Sequence, residues 1–524
     1  MRRIKLIEQY IVNGLRVLSS LMILQTFQLN AQTWKFSEQR SGRNVPMDII
    51  ETYDHGLVFT VFNSDLIQYH DINLYKLDVN GDGLWKRTYG FKQSFFETCG
   101  LLELKNGDYL LWGSVYAPDS GDEAGNPFIL KLNKCFEPEW FKIYNEPLTY
   151  NRIDHVVEYK GNLLVSFAYL NENYITIALM DTSGDFIRKK TISEIFTNEL
   201  LIDRNENIMV LGCSGLFGLF PDPYKGIDKG FLMTLDSNLN VLHRNYFHEK
   251  DTTFPNLAFG MCFTDNSNMS FLTLSSHRSP NPNNSDIDGS VMITKNFNDS
   301  DWYKIINDTS FYTSGKTIIK LNSNRFAISS YHSPDLKNPF LYYGKYYIID
   351  SNANVISTAN ENPGTRSSGP RSMFNTHDSK LVTIGDYNRA GDDWDIFCYK
   401  YNEDLSPFQK TGIQKNYDTL CNKTIISTSI QLMNPQIVNL LRDSFLSIYH
   451  ASTAMDKQIK IYPNPGVRKV NISSQFEFKL AVFNHIGQRV SDFENVKEVN
   501  LPPGIYYFYF ISGDIKLVRK VIIH

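Results

Sequence analysis

The sequence predicts an all-β chain, a seven-bladed β-propeller followed by a small C-terminal β-sandwich. Three observations lead there. A turn motif recurs at near-constant spacing: LDVNGDGLW from Leu77, LNKCFEPEW from Leu132, MDTSGDFIR from Met180 and LDSNLNVLH from Leu235, continuing as TKNFNDSDW from Thr294, IDSNANVIS from Ile349 and YKYNEDLSP from Tyr399. A second marker precedes each of these, a polar turn entering an apolar strand, as in DHGLVFTVF, NGDYLLWGS, KGNLLVSFA, NENIMVLGC, NSNMSFLTL, NSNRFAISS and DSKLVTIGD. Composition agrees: aromatics make up 14% of the chain, with 30 Tyr and 35 Phe, and such usage favours strands joined by polar turns.

The N-terminus carries Arg2, Arg3, Lys5 and Arg16, then an apolar stretch over residues 17–29 closed by Ala31-Gln32. This reads as a signal peptide over residues 1–31, cleaved after Ala31. The run is shorter than the roughly 20 apolar residues of a spanning helix, and no other segment could cross a membrane as a helix.

Residues 32–412 hold the repeats. Each unit reads inner strand, polar turn, apolar strand, variable loop, alternating strand, Asp/Asn/Gly turn, aromatic outer strand. Four antiparallel strands at a period of about fifty residues make a propeller blade. The near-continuous apolar second strands suit burial on both faces between neighbouring blades. The segment Trp34-Lys35-Phe36 resembles the outer strands after Trp85 and Trp140. It is expected to complete the last blade, in preference to residues 406–412.

Residues 413–457 read as a linker with some strand character. Residues 458–524 carry short alternating runs broken by Gly487, by Pro502-Pro503-Gly504 and by Gly513, the pattern of a small β-sandwich. In Tyr462-Pro463-Asn464-Pro465 the prolines fix φ and bias the preceding residues to extended conformations. With Gly487 after a strand, Pro503-Gly504 before IYYFYF, and Arg519-Lys520 in a basic-apolar terminus, the segment resembles the type A C-terminal sorting domain of the type IX secretion system. The resemblance implies a signal read by the outer-membrane export machinery, removed afterwards, and hence a protein delivered to the cell surface or medium. The repeats resemble propellers of secreted Bacteroidota proteins, which implies architecture and not activity.

Net charge is −4, from 52 basic and 56 acidic residues, with no basic block, so nucleic acid is not an expected partner. Six cysteines are far apart, with no CxxC; their pairing is not readable, and buried free thiols are the plainer expectation. Asp78, Asn80 and Asp82, followed by Gly83, match the start of an oxygen-rich calcium loop, but Tyr89 stands where its bidentate Glu belongs. The same slot in other units holds DTSGD, DSNLN and DSNAN, so a structural hairpin turn is expected and no cofactor. Asp154-His155, near Arg152, should edge the central channel; Asp48 holds a comparable place in the first unit and Gly100 in the second. Acids across a channel mouth could serve glycosidic acid/base chemistry. The loop SPNPNNSDIDGS after His277, with Asp286 and Asp288, is the longest polar insertion. No GxSxG, HExxH, phosphate-binding loop or dinucleotide fingerprint occurs. The expected role is binding or scaffolding of a glycan or protein ligand; the alternative is a carbohydrate hydrolase or lyase using acids at the channel mouth.

Overall fold

The computed structural model describes residues 34–38, 44–63, 71–91, 94–116, 125–145, 151–169, 174–192, 194, 196–214, 229–246, 256–264, 271–280, 287–295, 303–306, 313–321, 324–333, 342–361, 367–390, 393–412, 414–439, 459–462, 469–474, 477–484, 489–512 and 515–523. The signal-peptide expectation lies outside them. All regular structure among them is strand, and no helix is long and apolar enough to cross a membrane.

The strands group into successive antiparallel sets of four, over residues 44–90, 95–145, 151–192, 196–246, 256–306, 313–361 and 368–401, the fourth and fifth joined into one sheet by a single parallel pair, Lys229 with Asn256. The last set has three strands of its own. Its fourth is Lys35–Glu38, antiparallel to Asp393–Tyr401 with Phe36 opposite Cys398. Residues 406–412 form no strand; they add an isolated bridge, Tyr401 to Pro407, and Phe408 donates its N–H to the Lys400 carbonyl at 3.0 Å and accepts the Trp34 N–H at 2.8 Å. Inner strands touch in sequence from Asn44–Glu51 to Ser368–Asn375, and these two touch each other, so seven blades close a ring.

The core lies between blades. Leu111, Leu130 and Tyr109 of blade 2 pack with Val58, Leu74 and Trp85 of blade 1, while Ile384 and Ile396 of blade 7 pack with Phe59 and Leu77 of blade 1. Tyr109–Tyr116 is buried at every position but its last, as a strand covered on both faces must be.

The aromatic outer strands have a specific task. Trp85 meets Phe136, in the outer turn of blade 2, with ring centroids 4.6 Å apart. Trp140 lies against Gly184, in the outer turn of blade 3. Trp34, fully buried, lies against Gly81 in the outer turn of blade 1 and donates its indole N–H to the Val79 carbonyl at 2.8 Å. Trp34 is therefore the outer-strand tryptophan of blade 7, reaching across the seam to blade 1.

The segment expected as a linker from residue 413 is, through Asn439, a strap bound to the ring. Thr428–Gln431 runs parallel to the outer strand of blade 1, and Gln436–Asn439 to that of blade 2. Ahead of them, Asp418 accepts hydrogen bonds from the fully buried Lys76 ammonium (2.6 Å) and from the Trp85 indole (2.9 Å). Cys421 is disulfide-bonded to Cys135, 286 residues away, so these two are not the free thiols expected. Cys213, Cys262 and Cys398 are buried thiols outside the disulfide. The physical reason for the strap is the blade edge: an outer strand offers unpaired N–H and C=O groups, and a fifth strand satisfies them.

The C-terminal unit, described by itself, has two sheets. Ile459–Tyr462, Lys469–Ser474 and Glu498–Asn500 form one; Arg489–Glu494, Lys479–Asn484, Gly504–Ser512 and Ile515–Ile523 form the other. Val470, Ile472 and Val499 from the first pack with Leu480, Phe508, Phe510 and Val521 from the second in one core, the arrangement of a sandwich.

The central channel as a candidate functional site

Each inner strand is interrupted by a register shift against its neighbour: between Pro46 and Ile49, Thr98 and Gly100, Ile153 and His155, Thr197 and Glu199, Ala258 and Gly260, Gly315 and Thr317, and Pro370 and Ser372. A bulge re-aims the extra residue. Repeated around a ring, it gathers Asp48, Asp154, Asn198, Phe259, Lys316 and Arg371 on the wall of one cavity of about 720 Å3. Trp112 reaches the same wall because Gly100 leaves it room; a Cβ there would come within 2.1 Å of the indole.

The sequence brought Asp48, Asp154 and His155 forward, and the structure places all three in this cavity. Both aspartates are committed to the fold. Asp48 accepts the Leu101 N–H of blade 2 (3.1 Å), the Ser372 hydroxyl of blade 7 (3.0 Å) and the Ile49 N–H (2.9 Å). Asp154 accepts the Thr197 N–H of blade 4 (3.0 Å) and the Arg152 Nε–H (2.6 Å). Burial pushes the Asp48 carboxyl up to about 6, against the pull of its donors. Burial also raises Asp154, opposed chiefly by Arg152. Arg371 is held on the buried Asp386 by two hydrogen bonds, at 2.8 and 2.9 Å.

Glu199 and Lys316 are cavity residues that sequence reasoning missed. Glu199 Oε1 lies 3.5 Å from His155 Nε2, and both side chains keep about a quarter of their surface accessible, 25% and 27%. Burial within the ring, with a smaller contribution from Asp48, pushes the Glu199 carboxyl up to about 8. Burial lowers His155 to about 4, so at neutral pH it is an uncharged imidazole, and its Nδ1 has no partner among the described residues. Lys316 is lowered to about 8 by burial and then by Arg371 and Arg152, with Asp386 opposing. Phe259, Met261 and Met373 supply an apolar wall beside these groups. The signal that could have found Glu199 and Lys316 is the bulge, which occupies the same place ahead of the left-handed turn residue in blades 2, 4, 6 and 7, where that residue is Gly107, Glu206, Asn324 and Ser379.

Asp78, Asn80 and Asp82 lie in the outer turn of blade 1. Asp78 Oδ1 accepts the Asn80 and Asp82 backbone N–H groups, both at 2.8 Å, and Asp82 accepts from the Lys410 ammonium at 2.6 Å. Asn133, Asp181, Asp236 and Asp350 hold the corresponding turns with the same pair of backbone bonds. Asp286 lies outside the described residues; His277 and Asp288 stand on paired strands of blade 5.

Among the tail residues, Tyr462 ends a strand opposite Asn471, and Gly504 opens the strand that pairs with the terminal one. Arg519 and Lys520 stand opposite Phe508 and Tyr507, and Pro503 is exposed. Pro463, Asn464, Pro465 and Gly487 lie outside the described residues.

Residues 460–524 match the family described as "Secretion system C-terminal sorting domain". No curated protein matches the chain in sequence. Among solved structures, the chain is similar to a protein of unknown function from Dyadobacter fermentans, at 12% identity over 71% of this chain and 98% of that one, with a TM-score of 0.38. It is also similar to the α-L-arabinofuranosidase Arb93A of Fusarium graminearum, at 10% identity over 61% and 98%, TM-score 0.39. A third likeness is to a PL25 ulvan lyase, at 8% over 71% and 86%, TM-score 0.34. The propeller rests on the strand order described above. The tail is a type IX sorting domain, and through it the chain engages the secretion machinery and is exported across the outer membrane to the cell surface or extracellular space.

Proposed function

We propose that the exported propeller is a binding module whose ligand enters the central channel. The observation that carries this reading is the division of labour among the channel's charges. Asp48, Asp154 and Arg371 are spent on hydrogen bonds that join blades or strands. Glu199, His155 and Lys316 are the groups left to meet a ligand, beside Phe259, Met261 and Met373. A neutral carboxyl, a neutral imidazole and an ammonium next to apolar wall suit a small ligand, or the end of a glycan or peptide, with both polar and apolar surface. In this reading residues 1–31 are a cleaved leader and the tail is removed after export.

The test is a glycan and peptide array probed with the mature propeller, followed by Lys316→Ala and Glu199→Gln. Either substitution should weaken capture of the ligand at least tenfold while leaving the melting temperature within a degree or two. Undiminished capture by both variants would refute the channel as the site.

The second reading is a carbohydrate hydrolase or lyase, and Glu199 is the observation that favours it. A carboxyl held neutral at pH 7 is what a general acid requires. Its weakness is the partner: Asp48, the acid electrostatically coupled to it, already accepts three hydrogen bonds. Turnover of a polysaccharide by the mature protein, abolished by Glu199→Gln, would establish this reading in place of binding.

A further inference from the structure

We infer that Glu51, His55 and His377 form a binding site for a divalent transition-metal ion, placed across the seam where the ring closes. Glu51 ends the inner strand of blade 1. His55 lies in the turn that follows, in the left-handed region at φ 63°, with its N–H donated to the Thr52 carbonyl at 2.7 Å. His377 belongs to the corresponding turn of blade 7, 326 residues from Glu51 in sequence. The two imidazoles stack, with centroids 3.4 Å apart. Both present Nδ1 to the same carboxylate oxygen: Glu51 Oε1 lies 3.3 Å from His55 Nδ1 and also contacts His377 Nδ1. The three candidate ligand atoms lie within 4.8 Å of one another.

The donor set decides the class of ion. Two imidazole nitrogens and a carboxylate oxygen suit Zn2+ and its neighbours Ni2+ and Cu2+; Ca2+ and Mg2+ prefer all-oxygen shells. The remaining carboxylate oxygen, Oε2, accepts the His377 backbone N–H at 2.8 Å, so the carboxylate is oriented by a second contact from blade 7. The imidazole side chains are 38% and 39% exposed, which gives an ion access and leaves a coordination position for water. On binding, an imidazole that donates from Nδ1 to Glu51 exchanges with solvent to the Nε2–H tautomer, and the freed Nδ1 lone pair takes the ion. Because the ligands come from the first and last blades, an ion here ties the seam, and binding to the closed ring alone stabilises it by mass action. The calcium candidate at Asp78 shares none of these features.

The experiment uses the mature full chain, purified without a histidine tag and stripped with chelator. Titration with Zn2+ should give one site per chain and raise the melting temperature, while Ca2+ and Mg2+ at the same concentration should not. His377→Ala and Glu51→Gln should each weaken the Zn2+ affinity more than tenfold and remove the thermal shift; His243→Ala, an exposed histidine on the outer strand of blade 4, should leave both unchanged. Co2+ substitution should give visible absorption bands that are lost in His377→Ala. Absence of Zn2+ binding, or binding that survives both seam substitutions, overturns the inference.

Discussion

If Trp34 is the outer-strand tryptophan of blade 7, Trp34→Ala should be among the most costly substitutions in the ring. The side chain is fully buried among Ile49, Leu57, Phe59, Tyr75 and Leu77 of blade 1 and Ile384 and Ile396 of blade 7. Truncating a packed aromatic to alanine costs about 3–5 kcal/mol. It also leaves the Val79 carbonyl without the indole donor now 2.8 Å away. Gly81 supplies the matching perturbation. Its φ is +83°; the corresponding residue in other outer turns is Phe136, Leu239, Ala353 or Leu405, all at positive φ, so the fold accepts a side chain there, and the backbone strain of about 1–2 kcal/mol is the same with or without Trp34. A Cβ at Gly81 would come within 2.7 Å of the Trp34 ring, and overpacking of that kind costs about 1–3 kcal/mol.

The two sites must therefore couple. In Trp34→Ala the ring is gone, and the Gly81→Ala methyl meets space instead of indole. The double variant should be less destabilised than the sum of the single ones, by about 1–2 kcal/mol. Gly83→Ala is the control: no atom lies within 4 Å of its Cβ position and its φ is not in the left-handed region, so it should change stability by less than about 0.5 kcal/mol. Denaturant unfolding of the four proteins measures the cycle. Hydrogen exchange should show Trp34→Ala loosening Asp393–Tyr401 more than Tyr109–Tyr116. Additive single effects, or a Trp34→Ala cost near zero, would mean that the N-terminal segment only lies along the ring and does not close it.

Cys421→Ser should cost about 2–4 kcal/mol, given the long loop its disulfide closes, and should expose Thr428–Gln431 to exchange before the rest of blade 1; unchanged protection there would show that Lys76, Asp418 and strand pairing hold the strap unaided. Asp82→Ala should cost about 1 kcal/mol or less, because the carboxylate is exposed and serves one surface ammonium, and added Ca2+ should leave the melting temperature unchanged; a calcium-dependent shift lost in that variant would make the turn a metal loop. Deletion of residues 460–524 should leave a folded propeller held in the periplasm, and normal surface delivery of the truncated chain would contradict the sorting role of the tail.

The blades were legible because their markers are local. Asp, Asn and Gly at the outer turns and the apolar strands of blades 2 and 3 announce themselves within ten residues, and Trp34-Lys35-Phe36 was recognisable as a displaced copy of Trp85-Lys86-Arg87. The channel was only half legible. A bulge inserts a residue and breaks the period of two, so Glu199 and Lys316 fall where alternation gives no instruction. The strap was read as a connector because its first strand, Thr428–Gln431, is exposed at three of four positions and carries no apolar stripe. It is held by main-chain pairing and by partners such as Lys76 and Cys135, hundreds of residues away, which no local pattern encodes.

The positions of these ties bear on how the ring forms. Blade 7 lacks its fourth strand until residues 35–38 pair with 393–401, and blade 1 lacks the Asp418 partner of Lys76 until the strap is in place. A fully buried ammonium shared between Asp54 and Asp418 is costly with either carboxylate missing, so blade 1 depends on the strap although it comes first in the chain. Closure therefore depends on contacts of the longest sequence separation, the condition under which folding of β proteins is slow. The strap is in turn tied to blade 2 by a bond, Cys135 to Cys421, of a kind that persists in oxidising compartments. An exported destination read from the tail and a strap fixed to the ring by a disulfide are thus two independent indications that the mature propeller operates outside the cytoplasm.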